Sequence, residues 1–108
     1  ELFFVNDGST DDTLQVLKNL NALSSPCKYI DLTQNVGKAE AVRQGIMQVY
    51  EMHQFDHIGF YDADLATPLE SSLDFLKYFD QYHQIQVIYG SRIKRLGASI
   101  LRSTMRHY

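Results

Sequence analysis

Two carboxylates, Asp62 and Asp64, flank the small Ala63 just beyond the apolar run at residues 57–61. Where a strand ends the backbone kinks, so side chains two apart can converge, and two like charges there repel unless a cation sits between them. Hard oxygen donors of this kind suit Mg²⁺ or Mn²⁺, which keep several waters and bind substrate phosphates at the same time. The competing reading makes both residues caps for turns or for the following helix, a place that Thr67 already fills. Asn6-Asp7-Gly8-Ser9 closes another apolar run, Leu2 to Val5. Asp7 can accept hydrogen bonds from a base or a ribose, and free N–H groups at a helix start suit an anion; a polar Asx turn is the alternative. Asn35, Gly37 and Lys38 form a third polar group, with Lys38 facing a phosphate or water. Arg92 follows Gly90-Ser91, and Arg102 and Arg106 are four apart. On a helix those two share a face beside Leu101, Met105 and Tyr108, presenting two guanidinium forks to a phosphate or lying on an anionic bilayer; an ordinary amphipathic helix explains them equally well.

These residues need elements to position them. Leu2-Phe3-Phe4-Val5 reads as a strand buried on both faces and ended by Asn6-Asp7-Gly8. A helix follows, with Ser9 and Asp12 at capping-box spacing and Leu14, Leu17 and Leu20 on one face, until Ser24-Ser25-Pro26 breaks it. Tyr29 to Leu32 reads as a second strand. Val42, Ile46 and Val49 mark a helix over about residues 38–52, with Gly45 where a backbone approaches closely. Residues 57–61 read as a third strand and 86–89 as a fourth. Between them Thr67-Pro68-Leu69-Glu70 is a helix start with an apolar stripe of Leu69, Leu73 and Leu76. Strands alternating with helices through connections too long for hairpins predict an α/β fold of three layers, a mostly parallel sheet with helices on both faces. In such sheets ligands bind beyond the carboxyl ends of the strands, where nearly all the distinctive residues fall.

Composition is consistent with one folded unit: 108 residues, 44% apolar and 21% charged. That excludes disorder, and a single Cys27 excludes a disulfide scaffold and fits a reducing compartment. No apolar run reaches the roughly 18 residues of a bilayer span. Residues 1–91 carry five Lys/Arg against thirteen Asp/Glu, whereas residues 92–108 carry five Arg/Lys and no acid. The acidic part can hold a cation and the basic tail can meet an anion; a solvated tail is the plainer reading. Glu1 opens straight into an apolar run, which suggests a fragment of a longer protein. His53 and His57 have helical metal spacing, but Phe55-Asp56 lies at a helix-to-strand junction, which argues against zinc. GxSxG, P-loop and GxGxxG patterns are absent, which sets aside the commonest hydrolase and dinucleotide fingerprints.

The four strand ends together resemble family 2 glycosyltransferases, inverting sugar transferases of GT-A fold. The matching stretches are VNDGSTDDT at 5–13, QNVGKAEAVRQG at 34–45, YDADLATPLE at 61–70 and YGSR at 89–92, in the family's order and spanning almost all of the chain. The tail further resembles the branch that loads sugars onto polyprenyl or dolichyl phosphate. The resemblance implies a partial catalytic domain over 1–108, the nucleotide-sugar-binding half of a Rossmann-like GT-A fold. It lacks the family's first strand, which lines the base pocket, and its C-terminal part. Position 66 is Ala where some lipid-phosphate members have Gln.

By position, the resemblance implies that Asn6 and Asp7 serve the nucleotide, with Asn35, Gly37 and Lys38 around the base. Asp62 lies near the ribose and pyrophosphate, and Asp64, with Asp62, holds Mg²⁺ or Mn²⁺. Arg92 stands at the reaction centre, and with Arg102 and Arg106 faces an acceptor phosphate. The implied partners are a nucleotide-sugar donor and a lipid-phosphate or saccharide acceptor, with no nucleic acid. The full-length protein is expected at the cytoplasmic face of a membrane, and an uncovered sheet edge can pair chains into a homo-oligomer. Three rivals stand beside this reading. An aspartyl phosphohydrolase needs Thr four residues after its Asp, whereas Thr67 is five after Asp62. A phosphoacceptor receiver lacks its acidic pair at the first strand end. The last is an inert nucleotide-binding remnant.

Overall fold

The computed structural model describes residues 1–64 and 66–90. The chain divides into two compact units, Glu1–Asp64 and Leu65–Tyr108.

In the first unit, β1 (Leu2–Asp7), α1 (Thr13–Leu23), β2 (Cys27–Leu32) and α2 (Lys38–Glu51) follow in order. β1 and β2 pair in parallel, with Leu2 opposite Cys27 and Asp7 opposite Leu32, so both strands end at the same level. Their polar C-terminal sequences therefore emerge side by side. α1 packs chiefly on β2 and α2 on β1. The α/β class and the parallel pairing are those expected from the alternation of elements.

The core consists of Ile30, Leu32, Ala41 and Val49, with Phe3, Val5, Val36, Phe55 and Ile58 packed around it. Leu14, Leu17 and Leu20 of α1 are half-buried, as their spacing requires. α2 buries Ala41, Gly45 and Val49, four apart and so on one stripe, with Val42 and Ile46 at its margins. The small residues let α2 lie close to β1: a Cβ on Gly45 would stand 2.6 Å from Cγ2 of Val5. Phe55 meets Phe3 edge to face, with ring centroids 6.0 Å apart. α2 closes with His53 in the left-handed region, φ 51°, an ordinary way to stop a helix. His53 and His57 therefore do not share a helical face.

Several boundaries differ from expectation. α1 begins at Thr13, not near Ser9, because Asp11 supplies the turn: its Oδ1 accepts from the Thr13 N–H at 3.0 Å and from the Thr13 hydroxyl at 2.5 Å. Those bonds hold the Asp11 carboxyl below its usual range. β2 begins at Cys27, two residues before the expected Tyr29. Residues 57–61 and 86–89 are not strands. A parallel strand needs a ladder and burial on both faces, but Phe60, Val87 and Tyr89 are 60%, 76% and 82% exposed.

In the second unit, α3 (Ser71–Gln81) is preceded by tight turns in which the N–H groups of Ser71, Ser72 and Leu73 bond to the carbonyls of Pro68, Leu69 and Glu70. The α-helix proper thus starts beyond the expected Thr67 cap. The expected stripe of Leu69, Leu73 and Leu76 is exposed, while Phe75 and Phe79 are half-buried. Tyr78 and Tyr82 stack along one side, with centroids 6.3 Å apart.

Candidate functional site

The site is built where β1 and β2 end. Asp7, the last residue of β1, takes both carboxylate oxygens into the loop after β2. Its Oδ1 accepts from the Val36 N–H at 2.7 Å and its Oδ2 from the Gly37 N–H at 3.0 Å. The Asn35 amide donates to the Asp7 carbonyl at 3.1 Å. Three bonds thus strap residues 35–37 to the end of β1. The strap requires glycine at position 8: its φ is 61°, and a Cβ there would stand 2.3 Å from the Asn35 nitrogen. Gly37 turns the chain into α2 with φ 86°, a conformation for which other residues are strained.

Asn6 lies beneath this surface, only 3% exposed. Its amide donates to Asp31 Oδ1 at 2.7 Å, and its Oδ1 accepts from the Ser9 N–H at 3.3 Å. Both ends of the amide are engaged within the fold, joining β1 to its neighbour and to the turn above. A buried polar side chain needs such partners. Asp31 was not among the residues singled out by type and spacing, although a carboxylate between the apolar Ile30 and Leu32 is itself a signal, since acidic residues are depleted in strands.

Lys38, the first residue of α2, reaches Asp62: Nζ to Oδ1 is 2.6 Å, with side chains 71% and 50% exposed. In solvent such a pair contributes at most about 1 kcal/mol, but it fixes where the first carboxylate of the acidic pair lies. Asp62 stands beside the loop that Asp7 holds. Asp7, the 35–37 loop, Lys38 and Asp62 therefore form one continuous polar chain across three segment ends. Asp64 is exposed two residues on. In the first turn of α2, Glu40 accepts two bonds from the Arg43 guanidinium at 2.7 and 2.8 Å and one from Gln44 at 2.9 Å. Chiefly through the Arg43 bonds, its carboxyl is lowered to about 2, and the Arg43 guanidinium is raised in turn. Arg43 is thus spent on its own helix.

The donor set suits Mg²⁺ or Mn²⁺ in kind. Among the described residues no three His, Cys, Asp or Glu side chains cluster as a metal cage. The chain would then offer one or two carboxylates, the number these ions use when substrate phosphates and water complete their shell. The Lys38 ammonium already places one positive charge against Asp62. Arg92, Arg102 and Arg106 lie outside the described residues. Among those described, no helix is long and apolar enough to cross a membrane.

Against known proteins, the chain is 39% identical over 105 residues to "Putative glycosyltransferase CsbB" of Bacillus subtilis (strain 168), covering 97% of this chain and 30% of that protein. It is 31% identical over 102 residues to "Uncharacterized glycosyltransferase YkcC" of the same organism, covering 94% of this chain and 30% of that protein. A poly-beta-1,6-N-acetyl-D-glucosamine synthase of Staphylococcus aureus (strain COL) is 28% identical over 101 residues, covering 94% of this chain and 23% of that protein. The chain thus spans less than a third of the length of these curated relatives. No solved structure gives a significant match. The pattern described as Glycosyl transferase family 2 matches residues 1–106 and so spans the motif stretches at 5–13, 34–45, 61–70 and 89–92, and the chain belongs to that family.

Proposed function

We propose that the protein containing this chain transfers a sugar, with inversion, from a nucleotide-diphosphate donor, UDP-sugar or GDP-mannose, and that the donor lies across the ends of β1 and β2. The observation that carries the reading is the polar chain from Asp7 through the 35–37 loop and Lys38 to Asp62. It supports a crevice with acceptors for a base or ribose at one end and an acidic pair at the other. In this reading Asp7 and Asn35 orient the nucleotide, Gly37 lets the backbone pass beside it, and Asn6 acts from below by holding the turn. Asp62 and Asp64 hold Mg²⁺ or Mn²⁺. A bound divalent ion would neutralise charge on the departing diphosphate. Arg92 stands at the reaction centre.

For the acceptor we propose a polyprenyl or dolichyl phosphate, gripped by Arg92, Arg102 and Arg106, at the cytoplasmic face of a membrane. Such an acceptor is already an anion at neutral pH and needs no general base, which agrees with a chain whose acidic pair is committed to the donor. A second reading, a saccharide hydroxyl as acceptor, is favoured by the relative named as a poly-beta-1,6-N-acetyl-D-glucosamine synthase. That acceptor requires a base beyond these residues.

The test is direct. The full-length protein is titrated with UDP-sugars and GDP-mannose with and without Mn²⁺, and turnover is followed on polyprenyl phosphate and on oligosaccharide. Asp64→Ala is expected to abolish metal-dependent transfer; turnover retained by that variant overturns the assignment.

A further inference from the structure

Lys38 and Asp62 form the closest ion pair described, at 2.6 Å, and the pair sets the acidic group of the site against a cation that belongs to the protein itself. We propose that Lys38 is a stand-in for the divalent ion: it neutralises Asp62 before the donor arrives and then passes to the donor's diphosphate. The inference rests on the reading of Asp62 and Asp64 as the cation site and deepens it.

The geometry sets the two states in competition. The ammonium occupies Asp62 Oδ1, and a divalent ion drawn to the same carboxylate would meet that charge, whether through this oxygen or through Oδ2. Entry of the ion therefore favours release of the ammonium. Its stem is long and flexible and its side chain is 71% exposed, so release meets no packing barrier. The residue has one firm anchor: its backbone follows Gly37, whose N–H is held by Asp7. Lys38 thus swings from a fixed point beside the nucleotide loop. The diphosphate that accompanies the ion supplies the negative charge lost when Asp62 is given up, and the N-terminal end of α2 favours an anion on the same side. The neighbouring basic side chain on this helix, Arg43, is held by Glu40 and does not compete for the role.

Hence Lys38 has opposite effects on two equilibria. It weakens binding of the ion alone, by competition, and strengthens binding of ion and diphosphate together. A role confined to stability would give neither split. Mn²⁺ binding is measured by the loss of the free-ion paramagnetic signal, using the full-length protein and its Lys38→Ala, Lys38→Arg and Asp62→Asn variants. UDP and GDP are then titrated calorimetrically at saturating Mn²⁺. Exposed pairs of this kind predict about two- to five-fold tighter Mn²⁺ for Lys38→Ala. The same variant is expected to bind the nucleoside diphosphate about ten-fold more weakly, the loss of one charge-assisted contact. Lys38→Arg stays near the parent in both. Because both side chains are largely exposed, these variants fold. Mn²⁺ affinity that is unchanged or weakened in Lys38→Ala, with Asp62→Asn losing the ion, overturns the stand-in role and leaves the cation site standing. Mn²⁺ affinity unchanged in Asp62→Asn overturns the stand-in role and leaves Asp64 as the ion's carboxylate, whereas no Mn²⁺ binding by the parent overturns the cation reading and the stand-in role with it.

Discussion

Asp7 satisfies two backbone N–H groups that have no strand or helix partner, those of Val36 and Gly37. A charged acceptor on two donors is worth more than a neutral one, and removing it leaves the half-buried Val36 N–H without its partner and the exposed Gly37 N–H to water. Asp7→Ala is therefore expected to lower stability by about 1–3 kcal/mol, read from urea denaturation, because the strap on residues 35–37 is lost. Much of the site was legible at this scale. Asp7, Asn35, Gly37, Lys38 and Asp62 stood out by type and by their place at apolar run ends, and the structure links them. Their wiring was not legible. Asn6 and Asp31 are 25 residues apart and Lys38 and Asp62 are 24 apart, and no local rule pairs residues at such separations. Nor did local spacing reveal that Asp11 holds the start of α1, because Ser9 and Asp12 offered a cap of equally good form.

At the scale of elements, α2 was the most readable, since a glycine before it and a helical apolar period mark Lys38–Glu51 without reference to anything distant. Its contact with β1 depends on what is missing from Gly45. Adding a methyl there places it 2.6 Å from a γ-methyl of Val5, a stiff β-branched side chain that has little freedom to turn away. Overpacking costs about 1–3 kcal/mol and the gain in helix propensity returns about 1, so Gly45→Ala is expected to destabilise by up to about 2 kcal/mol. In the Val5→Ala background the same change should cost little, and a double-mutant cycle by chemical denaturation would measure that coupling. The runs at 57–61 and 86–89 misled for the opposite reason. An apolar run states that a segment has something to bury, whereas a strand also needs a ladder, and among the described residues the ladder joins β1 and β2 alone.

At the scale of the chain, the buried apolar side chains among the described residues come from β2 and α2, and the half-buried ones packed on them include Phe3 and Val5 of β1. Opening is costliest where packing is densest, so amides of β2 and α2 should be the last to exchange with deuterium, and those of α3, with Leu73 58% exposed, markedly earlier. Mass spectrometry of timed exchange would check the ranking; equal protection of α3 and α2 would contradict it. Asn6 faces Asp31 across the ladder, and sliding either strand by one residue would set its amide opposite Ile30 or Leu32, with nothing to receive its hydrogens. The pair thus favours the one alignment of the two strands in which the loops above them meet in step.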